Sequence, residues 1–146
     1  MIIHFVCRGN TYRSRLAETY LNSKSLPGIK VISSGIQADR NICGPITWYA
    51  QRIIQKENLQ NFEKPIWQKT TKELLNQADF TVFIQKDIYD YCTKNLGFNN
   101  KNFEVWDIKD LVMDGREESE KIKETEKTFK EIKQQAEKLI VHLKSV

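Results

Sequence analysis

Cys7-Arg8-Gly9-Asn10-Thr11-Tyr12-Arg13-Ser14 decides how the chain is read. An apolar run, Ile2 to Val6, precedes it, broken only by His4. Arg15-Leu16-Ala17-Glu18-Thr19-Tyr20-Leu21 follows and has the composition of a helix. A strand therefore ends, a short loop turns, and a helix begins. A helix start leaves several backbone N–H groups unpaired and carries partial positive charge, which suits an anion. Gly9 and Asn10 are residue types that reach positive φ at little cost, as a loop needs if successive N–H groups are to converge. Arg13 supplies a planar fork matched to two phosphate oxygens. Cys7 then lies at the centre of the cradle, in positive surroundings that favour thiolate over thiol. This arrangement suits nucleophilic attack on phosphorus, with Arg8, Gly9, Asn10, Thr11, Tyr12 and Ser14 surrounding the oxyanion.

Strand and helix signals alternate outward from this loop. Leu16, Ala17, Tyr20 and Leu21 recur at helical spacing, and the helix is expected to end near Pro27-Gly28. Ile29-Lys30-Val31-Ile32-Ser33 alternates and reads as a second strand. Gln37 to Cys43 is polar and aperiodic, a loop, and Gly44-Pro45 is expected to open a helix carrying Ile46, Tyr49, Ile53 and Ile54. Trp48 and Tyr49 fall in its first turn, where aromatics usually serve packing. Thr70 is expected to cap the next helix, with Glu73 three residues on. Phe80 to Ile84 is a nearly continuous apolar run, as in a strand covered on both faces. Lys86 to Asn95 reads as a helix with Ile88 and Cys92 on one face, and Phe103 to Trp106 as a fourth strand. From Arg116 on, Ile122, Thr125, Phe129, Ile132, Ala136, Leu139 and Leu143 form the stripe of one long amphipathic helix that docks on its own domain. The alternation implies an α/β fold: a parallel sheet with helices on both faces, in one domain over residues 1–146.

Composition narrows the function. The chain has 146 residues and a net charge of +4, with lysines and acids interleaved and no basic stripe carrying aromatics, so a nucleic-acid partner is not expected. No stretch approaches the ~20 apolar residues of a membrane span, and the N-terminal strand lacks the basic lead and cleavage site of a signal peptide. Cys7, Cys43 and Cys92 are three widely spaced thiols, which fits a reduced, cytoplasmic protein better than a disulfide framework. No Cys/His cluster has metal-ligand spacing, so neither a metal nor any other cofactor is expected.

The order Cys-x-Gly-Asn-x-x-Arg-Ser between strand and helix resembles the low-molecular-weight protein tyrosine phosphatase family, which includes bacterial arginine phosphatases and thioredoxin-coupled arsenate reductases. The resemblance implies a four-stranded sheet in the order 2-1-3-4 and hydrolysis through a phosphocysteine intermediate on Cys7. It implies that Arg13 and the loop amides hold the phosphate and that Ser14 assists the thiolate. Ser33-Ser34-Gly35 resembles the family's Ser-Ala-Gly turn, which implies that Ser33 and Asn10 hold the loop's shape. The family's proton donor is an aspartate after the fourth strand. Alignment on Trp106 implies Asp110, with Asp107 as its rival and Lys109 and Leu111 in place of flanking prolines. Tyr12 replaces a second loop cysteine, Arg15 replaces the usual proline, and the aromatics that follow the acid in tyrosine-specific members are replaced by Leu111, Val112 and Met113.

Phosphorylated proteins or small molecules are the expected substrates, and phosphate- and vanadate-type oxyanions the expected inhibitors. Phosphotyrosine is the first substrate expectation. Phosphoarginine is the alternative, because Thr11 stands where arginine-specific relatives also carry threonine. Arsenate reduction and a phosphate- or phosphoprotein-binding module with little turnover are the further alternatives.

Overall fold

The computed structural model describes residues 1–145. Strand β1 (Ile2–Cys7) is central. The chain continues through α1 (Arg13–Ser23), β2 (Lys30–Gly35), α2 (Trp48–Lys56), α3 (Lys72–Gln77), β3 (Phe80–Phe83), α4 (Lys86–Leu96), β4 (Phe103–Val105) and α5 (Glu118–Lys144). All neighbouring strands are parallel and the sheet order is β2-β1-β3-β4. β1 lies between β2 and β3, so the winding reverses beside it. In open parallel sheets ligands bind beyond the carboxyl ends of the strands at such a reversal. Cys7 ends β1 there, paired in register with Gly35 at the end of β2.

The pleat sends alternate residues of β1 to opposite faces. Ile3, Phe5 and Cys7 join Leu16 and Leu21 of α1, Ile53 and Ile54 of α2, and Phe129, Ile132 and Leu139 of α5. Val6 faces the other way, with Leu75 of α3, Phe83 of β3, and Ile88 and Cys92 of α4. Each fully buried Leu, Ile or Phe is worth about 1.5–3 kcal/mol. Near the surface an ion pair is worth about 0–1 kcal/mol. The stripe on α5 therefore outweighs the pairs that join it to the end of α1 and to α2, Glu137 with Lys24 and Glu126 with Arg52 and Lys56. That explains why a 27-residue helix lies along its own sheet.

Several expected boundaries move. α2 does not open at Gly44-Pro45. Gly44 adopts φ +66° in the preceding loop, and the helix starts at Trp48, where the Thr47 hydroxyl accepts the Ala50 N–H at 3.1 Å. A capping hydroxyl outcompetes a proline at N1 as a start signal here. α3 is capped by Thr71, which accepts from Leu74 N–H at 3.1 Å, and not by Thr70. Thr70 is buried instead, with its hydroxyl 2.6 Å from that of Ser34. The segment from Gln37 to Cys43 is irregular apart from one short turn of helix, Ala38–Arg40.

His4 breaks the apolar run of β1 because it has a buried polar partner, the Ser34 hydroxyl 2.6 Å from Nε2. Burial pushes its imidazole down to about 3 from an ordinary 6.5. The unfolded chain therefore binds a proton between those values that the folded chain refuses. Stability present above pH 6.5 is lost as pH falls, at about 1.4 kcal/mol per pH unit. Between pH 6.5 and 5 the wild type is expected to lose about 2 kcal/mol more than His4→Gln, measured by urea unfolding.

Candidate active site

The candidate phosphate loop begins where β1 stops and ends where α1 begins. Tyr12 occupies the N-cap position of α1 with no side-chain cap, so the first N–H groups of the helix are left to the loop's concavity. The N–H groups of Gly9, Thr11 and Tyr12 find no acceptor among the described residues. Asn10 takes the left-handed conformation, φ 56°. Gly9 does not share it, and a Cβ on Gly9 would meet only Thr11 Oγ1, at 3.5 Å. The close approach falls on Gly35 instead. A Cβ there would lie 2.6 Å from the Arg8 carbonyl oxygen and 2.7 Å from the Asn10 nitrogen, so only glycine lets β2 support the loop.

Cys7 is buried, and its Sγ lies 2.8 Å from Ser14 Oγ and 3.2 Å from the Asn10 nitrogen, whose N–H it accepts. The direction of the Ser14 contact follows from the network behind it. Asn10 Nδ2 donates to Ser14 Oγ and to Ser33 Oγ, both at 2.8 Å, and Ser33 Oγ donates to Glu18 Oε1 at 2.8 Å. Asn10 Oδ1 accepts the Gln68 N–H at 2.8 Å, which fixes the amide's orientation. The Ser14 oxygen is thus already an acceptor, and its own proton is free to point at sulfur. Two donors, the Ser14 hydroxyl and the Asn10 N–H, converge on one sulfur. Burial pushes the Glu18 carboxyl up, and the Ser33 hydroxyl and the Arg15 guanidinium pull it back toward the ionised form.

Arg13 is 2% exposed. Its Nη1 donates to Gln85 Oε1 and to the Ile108 carbonyl, both at 2.7 Å. This fixes the plane of the fork and leaves further N–H groups for an oxyanion. Asp110 Oδ2 stands 3.6 Å from Arg13 Nη2, and Asp110 is itself largely exposed. Asp110 lines the same cavity of about 490 Å³ as Cys7 and Arg13, and Asp107 does not. Arg8 lies at the rim in an ion pair with Asp87, and Thr11 lines the cavity.

Tyr12 is buried in the core beside the loop, its hydroxyl without a hydrogen-bond partner among the described residues, and burial pushes its phenol well above the ordinary range. Trp48 packs against Tyr49 at the surface, ring centroids 5.1 Å apart. It is 58% exposed and lines the cavity edge-on to Tyr49, whose ring reaches the core. The later start of α2 explains this, since it puts the helix's first turn at the cavity mouth. Leu111 and Met113 line the cavity as well. The sequence offers no functional reading for Gln85, Gln68 or Glu18, and presents Gly35 only as the end of the Ser33-Ser34-Gly35 turn. Gln85 and Gln68 reach loop residues from elsewhere in the chain, while Glu18 holds Ser33 from α1, three residues beyond Arg15.

Residues 2–146 match the family model of the low molecular weight phosphotyrosine protein phosphatases. The chain belongs to this family. It is a cysteine-dependent phosphatase by that membership, with the family's parallel sheet in the order 2-1-3-4. No curated protein matches the chain. Solved structures do. A low molecular weight protein tyrosine phosphatase from Bacillus subtilis is 23% identical with a TM-score of 0.79, over 99% of this chain and 98% of that one. The YwlE arginine phosphatase from Geobacillus stearothermophilus is 22% identical with a TM-score of 0.70, over 97% and 94%. At these identities the likeness is one of fold. Wzb from Vibrio vulnificus, solved with benzylphosphonate, is 26% identical with a TM-score of 0.66, over 94% and 97%.

Among the described residues no helix is long and apolar enough to cross a membrane. The three cysteines are all free, Cys7 and Cys92 buried and Cys43 exposed.

Proposed function

We propose that the chain is a single-domain protein phosphatase that transfers a phosphoryl group to Cys7 and then to water, with phosphotyrosine as its first substrate. The observation that carries this reading is the double hydrogen bonding of Cys7 Sγ beside a buried, pre-oriented Arg13. In the first step the Cys7 thiolate forms a sulfur–phosphorus bond as the bond to the leaving oxygen breaks. Asp110 gives its proton to that oxygen. In the second step water attacks phosphorus, Asp110 takes a proton from it, and the thiolate leaves with a hydrogen bond from Ser14. Arg13 and the amides of the loop stabilise the equatorial oxygens, the electrostatic contribution that a preformed oxyanion site makes. Asn10 and Ser33 hold the loop, while Arg8 and Thr11 flank the mouth. A catalytic thiol must stay reduced, which suits the cytoplasm.

Trp48, Leu111 and Met113 support an aryl substrate, since they offer a phenyl ring apolar walls in the cavity that holds Cys7. Thr11 in that cavity favours the second reading, phosphoarginine, because a threonine leaves room for a planar guanidinium that an isoleucine would fill. Arsenate reduction lacks support of this kind. It needs resolving thiols that relay a disulfide outward. Cys43 is exposed on the lining of the Cys7 cavity but has no further thiol to pass a disulfide to. Cys92 is buried on the other face of the sheet, where burial pushes its thiol up to about 12. Asp110 beside Arg13 favours turnover over a binding module.

The test is kcat/KM on phosphotyrosine, phosphoarginine and phosphoserine peptides and on an activated aryl phosphate, for wild type and Asp110→Asn. The phosphotyrosine peptide is expected to be the best peptide. Asp110→Asn is expected to slow poor leaving groups by roughly 10²–10⁴-fold and the activated aryl phosphate much less. Asp107→Asn showing that pattern instead would transfer the acid's role to Asp107.

A further inference from the structure

Arg15 is among the largest fully buried side chains in the protein, 1% exposed, and it stands where the family usually has proline. Nothing in the reaction described above uses it. Its Nη1 donates to the Asn10 carbonyl at 3.2 Å and to the Pro45 carbonyl at 2.8 Å. Its Nη2 donates to the Lys64 carbonyl at 2.5 Å. Its Nε is 3.9 Å from Glu18 Oε1 and has no hydrogen-bond partner among the described residues. One guanidinium thus joins three segments: the phosphate loop, the loop that leads into α2, and the loop that delivers the Gln68 N–H to Asn10 Oδ1.

The bond to the Asn10 carbonyl has a directional consequence. A trans peptide is planar, with its C=O and the following N–H pointing in opposite directions. Arg15 holds the Asn10 carbonyl on the buried side of the loop. The N–H of the same peptide belongs to Thr11, lacks an acceptor among the described residues, and must point away from Arg15. Asn10 and Thr11 both line the cavity that holds Cys7 and Arg13. The contact also braces Asn10 at its φ of 56°, a conformation that side-chain-bearing residues adopt at a cost.

We propose that Arg15 is a positioning residue for oxyanion binding: it locks the Asn10–Thr11 peptide so that the Thr11 N–H donates to the phosphate held over Cys7. A neutral hydrophobic residue at this position could not fix the carbonyl, and lysine could not span three carbonyls from one point charge. The role rests on the phosphatase reading for its meaning, but its test does not require turnover.

The test uses the full chain, inorganic phosphate and ¹H–¹⁵N spectra. In the wild type the Thr11 amide proton is expected to shift downfield as phosphate is added. A Thr11 amide indifferent to phosphate would overturn the inference without any variant. Arg15→Lys keeps a cation beside Glu18, and the pair Arg15→Met with Glu18→Gln removes both charges together. In both, phosphate is expected to bind about tenfold more weakly and the Thr11 shift to shrink, the scale of one charge-assisted hydrogen bond. Wild-type phosphate affinity in the folded double variant would reduce Arg15 to a counter-ion of Glu18 and overturn the proposal. Should the double variant fail to fold, wild-type affinity in Arg15→Lys overturns it equally. A protein that binds phosphate with the Thr11 shift but turns over no substrate would retain Arg15's role and reject the phosphatase reading.

Discussion

Cys7→Ser is expected to lower turnover of an aryl phosphate by roughly 10⁴–10⁶-fold, the scale on which loss of a covalent nucleophile acts. The substitution leaves the cradle almost unchanged. A serine oxygen can still sit near Ser14 and the Asn10 N–H, now 2.8 and 3.2 Å from sulfur. Arg13 is anchored independently of Cys7, by Gln85 and the Ile108 carbonyl. Oxyanion affinity is therefore expected to survive within a few-fold while turnover vanishes. The check is steady-state kinetics together with phosphate titration of the same sample. Loss of both would mean that the substitution had collapsed the loop and would say nothing for Cys7 as nucleophile. Retained turnover would remove Cys7 from the chemistry.

Arg13→Lys is the second large effect. Lysine keeps the charge, so a role that depended on charge alone would survive it. The structure gives the guanidinium a task that a point charge lacks: Nη1 is tied to two acceptors at 2.7 Å while the rest of the fork faces the cavity. A lysine ammonium satisfying Gln85 and the Ile108 carbonyl has one proton left, and it lacks the planar geometry that grips two oxygens. Turnover is expected to fall by roughly 10²–10³-fold, the loss typical of a single oxyanion-stabilising group, and to come close to that of Arg13→Ala. The measurement is kcat/KM of the two variants side by side. A lysine variant within a few-fold of wild type would show that Arg13 acts through charge alone.

The loop and the alternating pattern were legible because both are local. A thiol ending an apolar strand, six residues before an arginine that starts a helix, needs no tertiary information to be read. The sheet order was available only through the family resemblance, since periodicity does not order strands. The errors have physical sources. Gly9 and Asn10 look equally suited to positive φ, but only Asn10 uses it, because its side chain then reaches Ser14, Ser33 and the Gln68 N–H together. The need for glycine lay at Gly35, a β2 residue whose Cβ would strike the loop across a strand pairing. Thr70 and Thr71 are alike as caps in sequence, and the choice was made by the buried Ser34 hydroxyl, which takes Thr70. α2 starts at Trp48 and not at Gly44-Pro45 because the Thr47 hydroxyl caps it, which puts Trp48 on the lining of the cavity. Arg15 was visible only as a departure from a proline, since its acceptors Asn10, Pro45 and Lys64 are carbonyls, which every sequence contains.

The central claim is a phosphocysteine at Cys7, and it is tested most directly by trapping that species. Asp110→Asn is expected to slow the step in which water needs a base, while an activated aryl phosphate needs little help in leaving. This variant, mixed with such a substrate and quenched in denaturant within the first turnover, is expected to carry one phosphoryl group per chain. Mass spectrometry of its peptides should locate that group on Cys7. Turnover that proceeds with no phosphoryl group on Cys7, or with the label on Ser14 or another side chain, would contradict the account.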